Sequence, residues 1–184
     1  MLLLPDHGCD GILRTKRDSE MFTMPNGAIA YSLKVSTMLF HRYVDDLKPS
    51  DFEHQPSPGV NCAAWIIGHL TLTDRRSVVG LGVTELPSLP AEFEAKFATT
   101  KASANTQSGF GDPIELVKLF DAHRAKLIAT VLVADLTKLQ EPPVVPSPLF
   151  NSRGEAALFM GLHTAMHLGQ ITIIRRSLGY PPIL

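Results

Sequence analysis

Three histidines lie at positions where helical periodicity predicts core residues. His163 and His167 are four residues apart, so on a helix their side chains lie on one face about one turn apart. His69, on an earlier segment, falls between Trp65 and Leu72 on a second stripe of the same kind. The later stripe, which has apolar residues at both ends, reads Ala156, Met160, His163, His167, Gln170 and Ile174. Two faces that should be buried therefore carry imidazoles and an amide.

Burying these polar side chains without partners would be costly. An unpaired buried polar group costs about 1–3 kcal/mol, against total stabilities of roughly 5–15 kcal/mol. One divalent ion would satisfy several of them, because neutral imidazole is a good ligand for zinc, nickel, copper and iron. An i,i+4 pair with His69 from a facing helix would make an open three-histidine site. Hydrogen-bonded core histidines, or a chance i,i+4 pair, remain alternatives at this point.

The sequence lacks several better-known catalytic motifs. A His-Glu-x-x-His protease needs glutamate directly after the first histidine, where this chain has Thr164. Di-iron bundles need Glu-x-x-His pairs, but Met160 and Thr164 stand three residues before His163 and His167. There is no Gly-x-Ser-x-Gly elbow, phosphate-binding loop or dinucleotide fingerprint. These enzyme classes are therefore not favoured.

Composition limits the remaining classes. The chain has 184 residues, of which 45% are hydrophobic, which is enough for one domain with a core. Its 17 basic and 18 acidic residues nearly cancel, so no nucleic-acid partner is expected. No uninterrupted apolar run approaches the roughly 20 residues of a membrane span, and no signal peptide is recognisable. Two cysteines, Cys9 and Cys62, suit a reducing compartment, so a cytoplasmic location is expected.

Four amphipathic segments must position the histidines, and they predict an all-α protein built as a four-helix bundle. Capping patterns at Asp112 and Ser152 mark two helix starts, and Asn61 is a candidate cap for another. The connection between the second and third helices is unusually long and has room for a short helix at 91–98. The predicted helices span about 28–47, 61–79, 112–136 and 152–178, with the long connection at 83–111. A stiff proline-rich link over 141–148 precedes the last helix.

The chain is expected to contain one domain and a tail. Residues 1–24 show no steady periodicity and predict a loosely ordered N-terminal tail. The bundle domain is assigned to residues 25–184.

Two motifs resemble signatures of the DinB-like (DinB/YfiT) superfamily. The first runs from Asn61 to Leu70 and ends in Gly-His69-Leu. The second is His163-Thr-Ala-Met-His167-Leu-Gly-Gln170-Ile, followed by Arg175-Arg176-x-Leu-Gly179. The resemblance covers about residues 27–182. It implies an up-down-down-up bundle with a divalent ion, zinc or nickel, held by the three histidines.

The resemblance also implies an activity. Known relatives include metal-dependent transferases that use low-molecular-weight thiols, and a mycothiol-dependent maleylpyruvate isomerase. A thiol-dependent S-transferase or related hydrolase acting on a small molecule, with a thiol cosubstrate, is therefore expected. The alternative is a non-catalytic, metal-stabilised bundle that binds a small ligand or partner in a stress response. A homodimer formed through a helix face is a further expectation.

Three residues are candidates for supporting the site. Gln170 could hydrogen-bond a metal-bound water or orient a ligand, although a polar residue at the bundle mouth is an equal alternative. Trp65 lies one turn before His69. His41, beside the apolar stripe of the first helix, could line the pocket, with surface placement as the alternative.

Three further residues have two interpretations each. His123 shares a stripe with apolar residues and is expected to be a hydrogen-bonded core residue. Arg76, two turns after His69, could receive an anionic substrate or be simply solvated. Cys62 could have a lowered pKa at a helix start, or be a small buried apolar residue.

Overall fold

The computed structural model describes residues 24–98 and 108–183, and all the regular elements within them are helical. In chain order the helices are α1 Pro25–Val44, α2 Ala63–Gly80, α3 Phe93–Phe97, α4 Pro113–Val133, α5 Leu136–Gln140 and α6 Arg153–Ser177, with a 3-10 turn at Pro49–Asp51. The all-α prediction is confirmed. Apart from Met24, the predicted N-terminal tail lies outside the described residues.

The four long helices, α1, α2, α4 and α6, form the bundle in an up-down-down-up order. Helix α1 packs against α6 and α4, and α2 packs against the same two helices from the opposite side. One end of the core contains Phe40, Ile67, Phe120 and Ile171, and the other contains Leu33, Val78, Leu127 and Ala157. Helices α1 and α6 therefore run one way, and α2 and α4 run the other way.

This topology explains the long connection before α4. Helix α2 has 18 residues, which is about 27 Å at 1.5 Å per residue. Because α4 runs parallel to α2, the chain must return over that distance before α4 can begin. On the way, Phe93 and Phe97 of α3 are buried in the core. A Cβ at Gly68 would lie 2.3 Å from the Phe97 ring, so only glycine allows α3 to pack this closely on α2.

The first two helices start at other residues than expected. Helix α1 begins at Pro25, before the predicted start at Ala28, because the fixed φ of proline suits a first helical turn. Helix α2 begins at Ala63, and the N-cap position is held by Cys62, one residue after Asn61. The predicted capping role of Asn61 is therefore wrong.

The later helix starts are confirmed by their caps. Asp112 accepts a hydrogen bond from a first-turn backbone N–H at 2.9 Å, and Ser152 does so at 3.1 Å. The third long helix ends at Val133, earlier than predicted. Asp135 then caps the separate helix α5 with a hydrogen bond of 2.7 Å from a backbone N–H.

A buried ion pair connects all four long helices. The guanidinium of Arg124 on α4 donates two hydrogen bonds to the carboxylate of Asp74 on α2, of 2.6 and 3.2 Å. It also donates to Ser36 Oγ on α1 and to Thr164 Oγ1 on α6, both at 2.8 Å. Burial raises the pKa of Asp74, and the guanidinium opposes that shift. The pair is completely enclosed, with side-chain exposures of 1% and 0%.

Helix α6 is apolar on more than its core-facing side. Leu162, Met166 and Ile173 are 59%, 63% and 57% exposed on its outer face. By length and composition it is the one helix among the described residues that could cross a membrane. Of its 18-residue apolar stretch, 44% is buried inside the bundle. A helix that packs along a protein core meets the same criteria, so this finding is weak evidence for a membrane.

Candidate metal centre

The fold brings His69, His163 and His167 together between α2 and α6. One potential ligand atom from each residue lies within 4.8 Å of the others. His69 and His167 are buried, at 7% and 8% exposure, and His163 is partly buried. The three side chains form a group of imidazoles only, with no carboxylate or thiolate in it.

The two histidines of α6 have a spacing suited to a shared ion. His163 Nε2 and His167 Nε2 are 3.1 Å apart. Tetrahedral zinc with Zn–N bonds of about 2.0–2.1 Å places its ligand nitrogens about 3.3 Å apart. Without an ion, one of these nitrogens must carry a proton to make the contact a hydrogen bond. With an ion, both lone pairs face the same cation.

Hydrogen bonds at the other ring nitrogens orient two of the imidazoles. His167 Nδ1 donates to Gln170 Oε1 at 3.1 Å. His69 Nδ1 makes a longer hydrogen bond of 3.4 Å to the carbonyl oxygen of Phe97, which can only accept. A proton on Nδ1 leaves the lone pair on Nε2, the nitrogen available to a metal.

His163 has a buried nitrogen without a protein partner. Its Nδ1 makes no hydrogen bond within the described part of the chain, and its ring stacks on Phe159 at 5.9 Å between centroids. The other nitrogen, Nε2, faces His167 Nε2, so an ion shared by the two residues would bind at Nε2 and the proton of a neutral ring would then sit on Nδ1. The residues present fit a divalent ion.

Trp65 shields the cluster on the α2 side. Its ring stacks on His69 with centroids 4.8 Å apart and planes 9° from parallel. It also contacts His167 in an edge-on arrangement, with ring centroids 6.5 Å apart. The structure thus brings both Trp65 and Gln170 to the histidines.

The surroundings of all three imidazoles favour their neutral form. Burial lowers the pKa values of His69, His163 and His167. The pKa of His163 falls to about 3, because the neighbouring His167 and His69 and the buried Arg124 add to the effect of burial. Neutral imidazole is the form that binds metal ions, so little proton release opposes binding.

His41 lies between two carboxylates. Its Nδ1 is 2.9 Å from Asp45, and its Nε2 is 2.9 Å from Asp121 on α4. Burial lowers the pKa of His41, but the two hydrogen bonds outweigh this and the pKa is raised. No hydrogen bond or ring contact in the described residues joins His41 to the histidine cluster, so its ring instead links α1 to α4.

The other three candidates lie apart from the cluster. His123 is fully buried and its Nδ1 donates to the Leu119 carbonyl at 2.8 Å, as expected for a hydrogen-bonded core residue. Cys62 is also buried, and burial raises the pKa of its thiol to about 11. It is therefore a small core residue and not a thiol with a lowered pKa at a helix start. Arg76 is half-exposed and lies 3.5 Å from Glu94.

A cavity lies beside the cluster, along the groove between α2 and α6. Its volume is about 650 Å³. Leu72 and Met160 form part of its wall, and each is one helical turn from a histidine, His69 and His163 respectively. The extended link at 143–145 forms part of its wall. The sequence identified this link by its prolines but gave no sign that it lines a cavity.

Comparison with known proteins agrees with these features. A family model described as the DinB superfamily matches residues 32–171, which is more than half of the chain and includes all three histidines. No curated protein matches.

Proposed function

Because the chain belongs to the DinB superfamily, we propose that it holds a divalent ion, zinc or nickel, with His69, His163 and His167. We further propose that it is an enzyme that transfers a small molecule to a low-molecular-weight thiol in the cytoplasm. The convergence of the three imidazoles carries this proposal. Three nitrogen ligands leave a coordination position for a reactant, as in catalytic rather than closed structural sites.

The ion would supply Lewis acidity and make a thiol or water nucleophilic at neutral pH. The chain's own residues hold the site. Gln170 fixes the ring of His167, the Phe97 carbonyl orients His69, and Trp65 keeps water from one side of the cluster. In the reaction, the cosubstrate sulfur bonds to an electrophilic carbon, the leaving group departs with its electron pair, and the thiol proton passes to solvent.

The acidic residues favour thiol transfer over hydrolysis. The metal-ligand group found in the described residues contains no carboxylate, and the buried Asp74 is engaged by Arg124. Hydrolysis needs a general base to activate water, and the part of the chain that the structure describes places no carboxylate in the histidine group for that role. A thiol needs less help, because its pKa near 8.5 is already close to neutrality.

Elemental analysis and turnover together test the proposal. Protein purified without a histidine tag should contain about one divalent ion per chain, as should the control His54→Ala, whereas His163→Ala should contain far less. The metal-loaded enzyme should accelerate the reaction of 1-chloro-2,4-dinitrobenzene with bacillithiol, mycothiol or glutathione. Equal rates for wild type and His163→Ala would overturn the enzymatic proposal.

The second candidate is a non-catalytic, metal-stabilised bundle that binds a small ligand or partner. The lack of a carboxylate in the histidine group, as far as the described residues go, favours it, and so does the position of the histidines, since an ion there would join α2 to α6. It predicts that EDTA lowers the melting temperature of wild type but not of His163→Ala, without turnover of any electrophile. Metal-dependent turnover would exclude it.

A further inference from the structure

We propose that the cavity beside the histidines binds an organic anion with an apolar body, and that Arg76 pairs with its anionic group. This cavity is the one described above, along the groove between α2 and α6. The inference rests on the proposed function only in treating the bound molecule as the substrate.

The size and walls of the cavity suit a small organic molecule. Its volume of about 650 Å³ falls within the roughly 300–1,000 Å³ typical of ligand sites. The walls that would contact an apolar body are Leu72, Val79, Val144, Val145, Phe150 and Met160. Val144 and Val145, which are 64% and 73% exposed, add accessible apolar surface to this wall.

The cavity adjoins the proposed metal centre. Leu72 follows His69 by three residues and Met160 precedes His163 by three, so each wall residue is about 5 Å along its helix from a histidine. Phe150 is on the cavity wall, and its ring centroid is 6.0 Å from that of Phe159. Phe159 in turn stacks on His163. The cavity wall therefore comes within one helical turn of His69 and of His163.

The charge of the lining favours an anion. Three arginines and one glutamate line the cavity. Arg75 donates to the Pro87 carbonyl at 2.9 Å, and Arg153 pairs with Glu141 at 2.9 Å. Among the described residues, the polar contact of Arg76 is the one of 3.5 Å with Glu94, and both side chains are more than half exposed. Such exposed pairs are weak, so the guanidinium of Arg76 can exchange this partner for a ligand carboxylate or sulfonate.

The register of α2 places Arg76 on the same stripe as His69. Arg76 follows His69 by seven residues, two turns, which separates the two backbone positions by about 10 Å along the helix. One small molecule can therefore reach both the arginine and the histidines. Arylalkyl and medium-chain carboxylates have a size and chemistry that suit this arrangement.

Two dyes that differ by one sulfonate test the proposal. 8-Anilinonaphthalene-1-sulfonate is anionic, and N-phenyl-1-naphthylamine is its neutral counterpart. We expect wild type to bind the anionic dye more tightly, and Arg76→Ala to weaken it about tenfold while leaving the neutral dye unchanged. Arg76→Lys should retain part of the preference. The control Arg176→Ala, an exposed arginine at the end of α6, should change neither affinity.

A cavity-filling variant locates the dyes. Ala156 lines the cavity, so Ala156→Phe should weaken both dyes. Equal binding of the two dyes by wild type, no effect of Arg76→Ala, or no effect of Ala156→Phe would each overturn the proposal. The titrations are repeated in EDTA and in His163→Ala, since dye binding needs no ion. Failure of the metal proposal and failure of this one are thereby separate results.

Discussion

Arg124 on α4 donates a hydrogen bond of 2.8 Å to the hydroxyl of Thr164 on α6, the residue that directly follows His163. Helix α4 supplies none of the three histidines, yet its buried arginine fixes the turn of α6 that carries one of them. The same guanidinium holds Asp74 on the histidine-bearing helix α2. The ion pair therefore sets the relative position of the two helices that carry the candidate metal ligands.

Breaking this pair should destabilise the protein strongly. Arg124→Met leaves the carboxylate of Asp74 buried without a partner, which costs about 3–5 kcal/mol. Urea unfolding measures the loss, and Lys118→Met, which removes an exposed cation from the same helix, should leave the stability nearly unchanged. The double variant Arg124→Met with Asp74→Leu should recover much of the stability. A single variant as stable as the control would contradict this account.

Removing the side chain of Gln170 should weaken metal binding. Without the side-chain oxygen of Gln170, His167 loses the hydrogen bond that fixes its ring. Losses of this kind reduce metal affinity about 10–100-fold. Competition with a chromogenic chelator measures the affinity of Gln170→Ala, with the exposed Gln140→Ala as control. Gln170→Glu keeps an acceptor and should retain the affinity. Unchanged affinity in Gln170→Ala would show that His167 needs no orienting partner.

A methyl group at Gly68 should disturb both packing and the site. The added Cβ would lie 2.3 Å from the Phe97 ring, so α3 must move together with the carbonyl that orients His69. Overpacking of this kind costs about 1–3 kcal/mol. Gly169→Ala is the matched control, because it meets nothing within 4 Å and should stabilise helix α6 by up to about 1 kcal/mol. Thermal unfolding compares the two, and equal melting temperatures would refute the close packing.

The link between His41 and its two carboxylates should add a pH dependence to stability. The pKa of His41 is raised in the folded protein, so folding favours the protonated ring. This stabilisation is fully present below the unfolded pKa of about 6.5 and is lost as the pH rises through the folded pKa. Because the ring is partly exposed, the effect should stay below about 1 kcal/mol. Urea titrations from pH 6 to 8.5 should show a decline in wild type that His41→Gln lacks.

Much of the fold was predictable because its signals are local. The i,i+4 spacing of His163 and His167 and the caps at Asp112 and Ser152 depend on neighbouring residues, and the structure contains all of them. The break between α4 and α5 was missed because the apolar pattern continues past Val133, while the cap at Asp135 makes a new start.

The core ion pair was not predictable from the sequence alone. Arg124 and Asp74 lie on different helices, and a single sequence does not show which charged residues meet across a bundle. The cavity was missed for the same reason, since its walls come from α2, α6 and the link that includes Val144. His41 was expected to line the pocket, but it links α1 to α4. The sequence did not show this because Asp121, one of its two partners, is also on another helix.

The histidine cluster joins helix α2 to helix α6. Bringing such distant segments together closes a long loop, whose entropic cost is met only when much of the rest of the chain is already folded. An ion that requires all three imidazoles therefore meets its site only late in folding. Metal binding should slow unfolding while leaving the refolding rate nearly unchanged. The ion then stabilises a protein that has already reached its native topology.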